Sequence, residues 1–238
     1  ADFFMCLDSL KERLGVKYAA FQLPIGRESG FTGEVDLVAM KAWYYTGDRD
    51  VPPELKDIPE DLMPQAEEYH AKLLEALAEY DDELMMMVLD GQEPSVEDIK
   101  RVARKATLTA EFFPVFCGTA FKNKGVQLLL DAVIDYLPSP LDIPGEKGVT
   151  NSGADYVCKT TDDAPFVGLA FKIATDPFVG RLAFVRVYQG QLKAGSYVYN
   201  SSRGVQERIG RLVLMHSNHR QEVSVLHAGE LGAVVGLK

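Results

Sequence analysis

The sequence has few cysteines, no long apolar run and no leader-like opening. Its three cysteines, Cys6, Cys117 and Cys158, are widely spaced and form no C-x-x-C pair, which argues against a zinc ribbon or a disulfide framework. We expect reduced thiols in a cytoplasmic protein. No apolar run is long enough to span a membrane. No charged segment followed by an apolar core marks a secretory signal.

Motifs for phosphate and metal binding are also missing. The sequence has no G-x-x-x-x-G-K-[S/T] phosphate loop, and Gly118 followed by Lys122 and Lys124 has the wrong spacing for one. His216 and His219 have a spacing that can bind a metal on a helix, but no cysteine or carboxylate stands at ligand spacing. We therefore expect no metal site, and a surface loop beside Arg220.

The charge is unevenly distributed. The 238 residues carry a net charge of −10 and are 47% hydrophobic, which predicts packed cores. Residues 51–100 hold 15 acidic and 3 basic side chains, whereas residues 151–238 hold 7 acidic and 10 basic ones. The C-terminal part could face nucleic acid and the acidic middle could not. Ordinary solubilising surface explains both parts as well.

Hydrophobic periodicity predicts two kinds of architecture along the chain. We expect helices over residues 2–14, 64–80, 84–89 and 96–106, with the methionine run 85–87 packed inward. Strands are expected over 21–25 and 33–43, where Val35 and Leu37 alternate with polar neighbours, and a loop over 46–61. Prolines at 138, 140 and 144 predict the end of the first unit. Beyond them, short strands at 166–173, 182–188, 196–199, 208–214 and 232–235 favour a small antiparallel barrel.

Residues 115–125, Val-Phe-Cys-Gly-Thr-Ala-Phe-Lys-Asn-Lys-Gly, join a short apolar strand to an apolar helix over residues 126–136. One corner of a parallel sheet explains this pattern. Residues 118–120 also resemble the fifth nucleotide motif of GTPases, in which Ser/Thr-Ala turns backbone N–H groups toward guanine. Longer strings extend the likeness over residues 22–26, 31–38, 118–140, 170–181 and 215–220. Through them the chain resembles translation elongation factor G over essentially its whole length.

The resemblance implies an α/β GTPase-domain remainder with an inserted α+β subdomain, followed by an antiparallel β-barrel domain. The remainder would comprise residues 1–14 and 112–138, the acidic inserted subdomain 15–111, and the second domain 139–238, truncated at its C-terminal end. Thr119, Ala120 and Phe121 would form the guanine loop, with Thr119 where the family commonly has Ser. Both ends look cut, and we expect an excised piece of a longer protein.

The family's other nucleotide motifs, including Asn-Lys-x-Asp, are absent from the sequence. The resemblance implies a longer parent protein that hydrolyses GTP with Mg²⁺ during tRNA–mRNA translocation, with the missing motifs in sequence not present here. It implies no catalysis, and no bound nucleotide or metal, for this chain alone, which we expect to be monomeric.

The resemblance also implies two ribosomal contacts, with no role for DNA or a membrane. Small-subunit rRNA would meet what we term the basic set: Arg181, Arg203, Arg208, Arg211, His219 and Arg220. The lysine-rich stalk protein would meet what we term the acidic stripe: Glu68, Glu75, Glu79, Asp82 and Glu83. Two alternatives are a paralogous translational GTPase of the ribosome-protection or recycling type and a stand-alone ribosome-binding module.

Overall fold

The computed structural model describes residues 2–48, 50–150, 152–176, 180–217 and 219–237. The chain divides into two compact units, Ala1–Leu137 and Pro138–Lys238, and each has its own apolar core. Within the described residues, no helix combines the length and the apolar character needed to cross a membrane. The two units are described separately.

The first unit opens with a capped helix. Helix α1 (Phe3–Ser9) starts at Asp2, whose carboxylate accepts the Met5 N–H at 3.1 Å. A π-helical turn, Leu10–Leu14, extends it, and Gly15 ends it at φ 62°, a left-handed conformation that glycine adopts without strain. The helix predicted over residues 2–14 is confirmed, with a widened last turn.

Five strands follow: β1 (Lys17–Ala20), β2 (Gln22–Ile25), β3 (Gly33–Asp36), β4 (Lys41–Tyr44) and β5 (Glu54–Lys56). Strands β2 to β5 form an antiparallel sheet in chain order. The single strand predicted over 33–43 is interrupted, because Asp36 Oδ1 accepts the N–H groups of Val38 and Ala39 and closes a turn. The loop predicted over 46–61 was wrong at β5. That edge strand is exposed along its whole length, so no apolar alternation marks it.

Three helices cover this part of the core: α2 (Met63–Ala78), α3 (Asp82–Leu89) and α4 (Val96–Leu108). Leu73, Leu77 and Leu84 are buried as predicted. The inward methionine run was wrong, because Met85 and Met86 are 39% and 58% exposed. Helix α3 has only eight residues and buries one of them, Leu84. Such a short helix has too little core-facing surface to bury all of its apolar side chains.

A parallel strand pair and the last helix complete the unit. Strand β6 (Phe112–Val115) pairs in parallel with β1, and helix α5 (Val126–Tyr136) occupies the predicted span. Phe21, directly after β1, packs its ring 5.1 Å from that of Tyr136 and 5.4 Å from that of Phe116. These aromatic contacts hold the residue after β6 and the last residue of α5 against the end of β1.

The second unit is built of short antiparallel strands: β7 (Glu146–Val149), β8 (Asp155–Cys158), β9 (Val167–Asp176), β10 (Gly180–Gln189), β11 (Leu192–Lys193), β12 (Tyr197–Asn200), β13 (Val205–Arg208), β14 (Leu212–His216), β15 (His219–Val223), β16 (Val225–Leu226) and β17 (Leu231–Val235). Five of them form a sheet in the order β15-β14-β17-β10-β9, and the other six pair two by two. The strand predicted over 208–214 is two strands, separated at residues 209–211. Val187, Leu212 and Val234 are fully buried in the core of the second unit.

Candidate functional site

The loop between β6 and α5, residues 118–125, is the first candidate site, and we term it the base loop. Residues Ala120–Lys122 form a 3-10 turn. The backbones of Thr119 and Lys124 bond to each other in both directions, at 2.8 and 3.2 Å. The N–H groups of Ala120 and Phe121 open the turn and so lack an intrahelical acceptor. The Phe121 side chain is 99% exposed. The loop therefore presents two adjacent N–H groups at its tip.

Two glycines bring the ends of the base loop together. A Cβ on Gly118 would stand 2.9 Å from the carbonyl oxygen of Lys124, and one on Gly125 would stand 2.9 Å from that of Cys117. Gly125 also has φ 80°, a region that other residues rarely occupy. These positions fix the loop's shape through backbone packing.

The hydroxyl of Thr119 does not hold the turn, contrary to the usual role of such a residue at a helix start. It makes no capping hydrogen bond. The loop is anchored instead by Lys124 Nζ, which donates to the Phe31 carbonyl at 2.8 Å. The Cys117 N–H also donates to Gln22 Oε1 at 3.2 Å. A cavity of about 550 Å³ lies beside Gly118 and Thr119 and is otherwise lined largely by α1 and the ends of β2 and β6.

A buried carboxyl group that the sequence pattern did not single out lies behind the loop. Glu34 on β3 is 0% exposed. Its Oε1 accepts the Tyr45 hydroxyl at 2.6 Å and Gln22 Nε2 at 3.3 Å. Burial is the main cause that raises its pKa to about 7. Glu34 is one of the polar neighbours that alternate with Val35 and Leu37, and nothing in the local pattern marks it as buried.

The acidic stripe is exposed, but it is neither continuous nor wholly acidic. Glu68, Glu75 and Glu79 follow one side of α2, with Lys72 between them paired to Glu68. Glu79 pairs with Lys17 at 2.7 Å. The remaining two carboxylates, Asp82 and Glu83, belong to the first turn of α3. Glu83 Oε2 lies 3.7 Å from a guanidinium nitrogen of Arg101. The five carboxylates are divided between two helices, because the chain changes helix at residues 79–81.

The basic set separates into groups. Arg203 lies in the turn of the β12–β13 hairpin, and Arg208 lies at its base, opposite Tyr197. Arg211 and Arg181 both accept backbone bonds from the end of β17, through the N–H groups of residues 235 and 236.

The other two members lie elsewhere. His219 and Arg220 begin β15, beside the turn that follows β14. The hairpin β14–β15 places them at the end of β14 remote from Arg211, roughly 15 Å along the strand at about 3.3 Å per residue. The histidines at 216 and 219 lie opposite each other in this strand pair, where a surface loop was expected.

Arg208 and Arg211 converge on one cavity of about 710 Å³. Tyr197, which is 61% exposed, forms part of the same wall. The remaining lining includes Gly195, Gly210 and Gly236, which have no side chains to obstruct entry. An aromatic residue and two arginines lining one open cavity, with Glu207 beside them, are residue types that contact a nucleic-acid backbone and its bases.

The second unit and the whole chain each have counterparts among known proteins. Residues 165–238 match the family model described as elongation factor G domain 2. The chain is similar to a crystal structure from Thermus thermophilus, with 25% sequence identity and a TM-score of 0.77. The likeness covers 99% of this chain and 32% of that chain, so this chain spans about a third of the length of the structure it matches.

Proposed function

We propose that this chain is part of an elongation factor G, a GTPase that moves tRNA and mRNA through the ribosome. The match of residues 165–238 to the family model of that factor's second domain supports the proposal. The parent protein would act in the cytoplasm, where its ribosomes are. The sequence lacks the phosphate loop and the Asn-Lys-x-Asp motif, so hydrolysis by this chain alone is not part of the proposal.

The base loop is proposed to bind the guanine of GTP or GDP in the parent. The N–H groups of Ala120 and Phe121, at the start of the 3-10 turn, would donate hydrogen bonds to a carbonyl oxygen such as guanine O6. The cavity beside Thr119 leaves room for a planar base. Two such hydrogen bonds contribute roughly 1 kcal/mol each, less than the cost of association, about 4 kcal/mol or more. This chain alone therefore has no measurable nucleotide affinity in the proposal, and Mg²⁺ would be held by residues outside it.

The contact with small-subunit rRNA is carried by one observation, the convergence of Tyr197, Arg208 and Arg211 on a shared open cavity. Guanidinium groups bind phosphate oxygens in a bidentate manner, and an exposed aromatic ring stacks on a base. Arg203 lies at the far end of the β12–β13 hairpin and Arg220 at the tip of another. A continuous RNA strand could follow the cavity and reach either tip.

The salt dependence of binding tests this contact. Each phosphate neutralised by an arginine releases about one counterion, so log K falls with log salt by roughly one per contact. The Arg208→Ala/Arg211→Ala variant should bind small ribosomal subunits more weakly, with a slope reduced by about one to two. Lys147→Ala, on the exposed strand β7 of the same unit, is the matched control and should retain the slope. An unchanged slope in the double variant would show that the two arginines are solvated surface.

The contact with the stalk protein is proposed for the exposed side of α2 and α3. Besides the acidic stripe, this side presents Met86 and Leu89, which are 58% and 74% exposed. Carboxylates around a small apolar patch suit a lysine-rich partner, because opposite charges steer encounter while apolar contact slows release. Reversing the three carboxylates Glu75, Glu79 and Glu83 to Lys should slow association with stalk-bearing ribosomes at low salt. The effect should fade above physiological ionic strength, where the Debye length is about 8 Å. Association at the wild-type rate at low salt would place the contact elsewhere.

A further inference from the structure

Glu34 lies at the contact between the four-stranded sheet and the base loop. One of its oxygens, Oε1, is occupied by two donors, Tyr45 and Gln22. Gln22 in turn accepts the N–H of Cys117, the residue that precedes the loop. A short chain of hydrogen bonds therefore connects the β3 carboxyl group to the start of the loop.

The second oxygen of Glu34 faces the other end of the same loop. Oε2 is buried and has no hydrogen-bond partner among the described residues. It lies 3.0 Å from the point that a Cβ on Gly125 would occupy, and the carbonyl oxygen of Cys117 lies 2.9 Å from that point. An acceptor oxygen and an unpaired carboxyl oxygen thus face the same small space.

This arrangement fits a protonated carboxyl group. Within the described ranges, no ion pair includes Glu34, and a buried charge without a partner is costly. With Oε1 accepting both donors, a proton on Oε2 would give that oxygen a donor for the Cys117 carbonyl. The other ionisable groups near Glu34 are Asp36 on the same strand, Tyr45, Cys117 after β6 and, beside Tyr45, Asp131 on α5. None of these groups is a cation that would stabilise a negative charge on the Glu34 carboxylate. The loop's own cation, Lys124, donates to the Phe31 carbonyl.

We propose that Glu34 is a positioning residue that, in its neutral form, joins the base loop to the four-stranded sheet and releases the loop when its proton leaves to solvent. The neutral acid holds the start of the loop twice, through Gln22 at the Cys117 N–H and through Oε2 at the Cys117 carbonyl, which lies beside Gly125 at the loop's other end. The anion keeps its bonds at Oε1 but turns Oε2 into an acceptor that faces another acceptor. The consequence for guanine binding rests on the function proposed above for the loop; the link between proton and loop does not.

Amide hydrogen exchange of this chain tests the link directly. Protection factors of residues 118–125 are compared at pH 5.5 and pH 8.5 for wild type, Glu34→Gln, Tyr45→Phe and the control Glu54→Gln. Glu54 lies on β5 of the same sheet and is exposed. Amides of β1 and β6 serve as the reference for global stability.

In wild type and Glu54→Gln, loop protection should fall on the order of tenfold at the higher pH, the factor expected for one buried hydrogen bond. The side-chain amide introduced by Glu34→Gln stays neutral and retains a donor, so loop protection in that variant should be equal at both pH values. Tyr45→Phe should lower protection in the loop more than in β1 and β6. Wild-type loop protection that is equal at both pH values would overturn the proposal. So would a loop change in Glu34→Gln that matches wild type.

A second measurement separates this inference from the assignment of the loop. GDP affinity of the parent protein is measured at the same two pH values for wild type and Glu34→Gln. A wild-type affinity that falls with pH while the variant's does not supports both. If loop protection responds as expected but GDP affinity does not differ between the two proteins, the positioning role stands and the guanine assignment of the base loop is refuted.

Discussion

Replacing Glu34 by Gln should make the first unit's stability less dependent on pH. The substitution keeps the side chain's size and the acceptor for Tyr45, and it removes one titrating group from a fully buried position. Because Gln cannot ionise, any pH dependence that Glu34 contributes to unfolding is lost in the variant. The comparison of the two proteins therefore isolates this one carboxyl group.

The sign and size follow from linkage. Burial raises the pKa of Glu34 from 4.5 to about 7. Between these values the folded protein retains a proton that the unfolded chain releases, so the free energy of unfolding falls as pH rises. The stabilisation is complete below pH 4.5 and is lost as pH passes about 7. At 1.36 kcal/mol per pKa unit, the loss amounts to about 3 kcal/mol. Lys105 lowers the pKa of Asp81 to about 2, so that group changes stability only at more acidic pH.

The chain has one tryptophan, and it reports on the relevant sheet. Trp43 on β4 pairs with Glu34 in the strand register. Urea titrations followed by tryptophan fluorescence at pH 4.5, 6 and 8 should show wild type losing about 3 kcal/mol more than Glu34→Gln across this range. Glu54→Gln should behave as wild type. Parallel stability–pH curves for wild type and Glu34→Gln would refute the reasoning, because the buried carboxyl would then have an ordinary pKa.

Two further predictions concern single side chains. Gly125→Ala should destabilise the first unit by about 1–3 kcal/mol, since φ is 80° and the new Cβ would meet the Cys117 carbonyl; Gly30→Ala, where a Cβ meets nothing within 4 Å, is the control, and equal urea midpoints would contradict the argument. In the second unit, Asp162 accepts from His227 Nδ1 at 2.6 Å and raises the pKa of that imidazole above 6.5. NMR titration should give a lower His227 pKa in Asp162→Asn, and an unchanged value would show that the pair is not formed. His227 should stabilise the folded unit below pH 6.5, and this contribution should be lost as pH rises through the raised pKa.

Local sequence patterns predicted the regular elements well where one face is buried. Helices α2, α4 and α5 carry apolar residues at helical spacing, and Ser95 caps α4 by accepting the Asp98 N–H at 3.1 Å, as its position before an acidic residue predicts. Strand β5 escaped prediction because an exposed edge strand has no buried face to mark it. Met86 was assigned to the core because methionine usually fills core gaps, but its short helix contacts the core mainly through Leu84.

The candidate sites depended on contacts that periodicity does not encode. The strand–loop–helix corner around residues 115–136 was predicted from its local pattern, and the guanine role of its loop remains a proposal. The burial of Glu34 depends on Gln22 from the neighbouring strand, on Tyr45 just after β4 and on Gly125 from a segment far along the chain. Alternation alone therefore does not show that both faces of β3 are buried. Arg208 and Arg211 converge because a break in the predicted strand turns the chain at residues 209–211, which the residue pattern of 208–214 concealed.

Footprinting of small ribosomal subunits with this chain tests the proposed ribosomal role most directly. Hydroxyl-radical cleavage of the subunit's rRNA should show a defined set of nucleotides protected by the wild-type chain and by Lys147→Ala. The same nucleotides should regain cleavage with Arg208→Ala/Arg211→Ala, because the cavity that those arginines share with Tyr197 would no longer hold the RNA backbone. Protection that is identical with the double variant, or no protection by the wild-type chain at saturating concentration, would contradict the account.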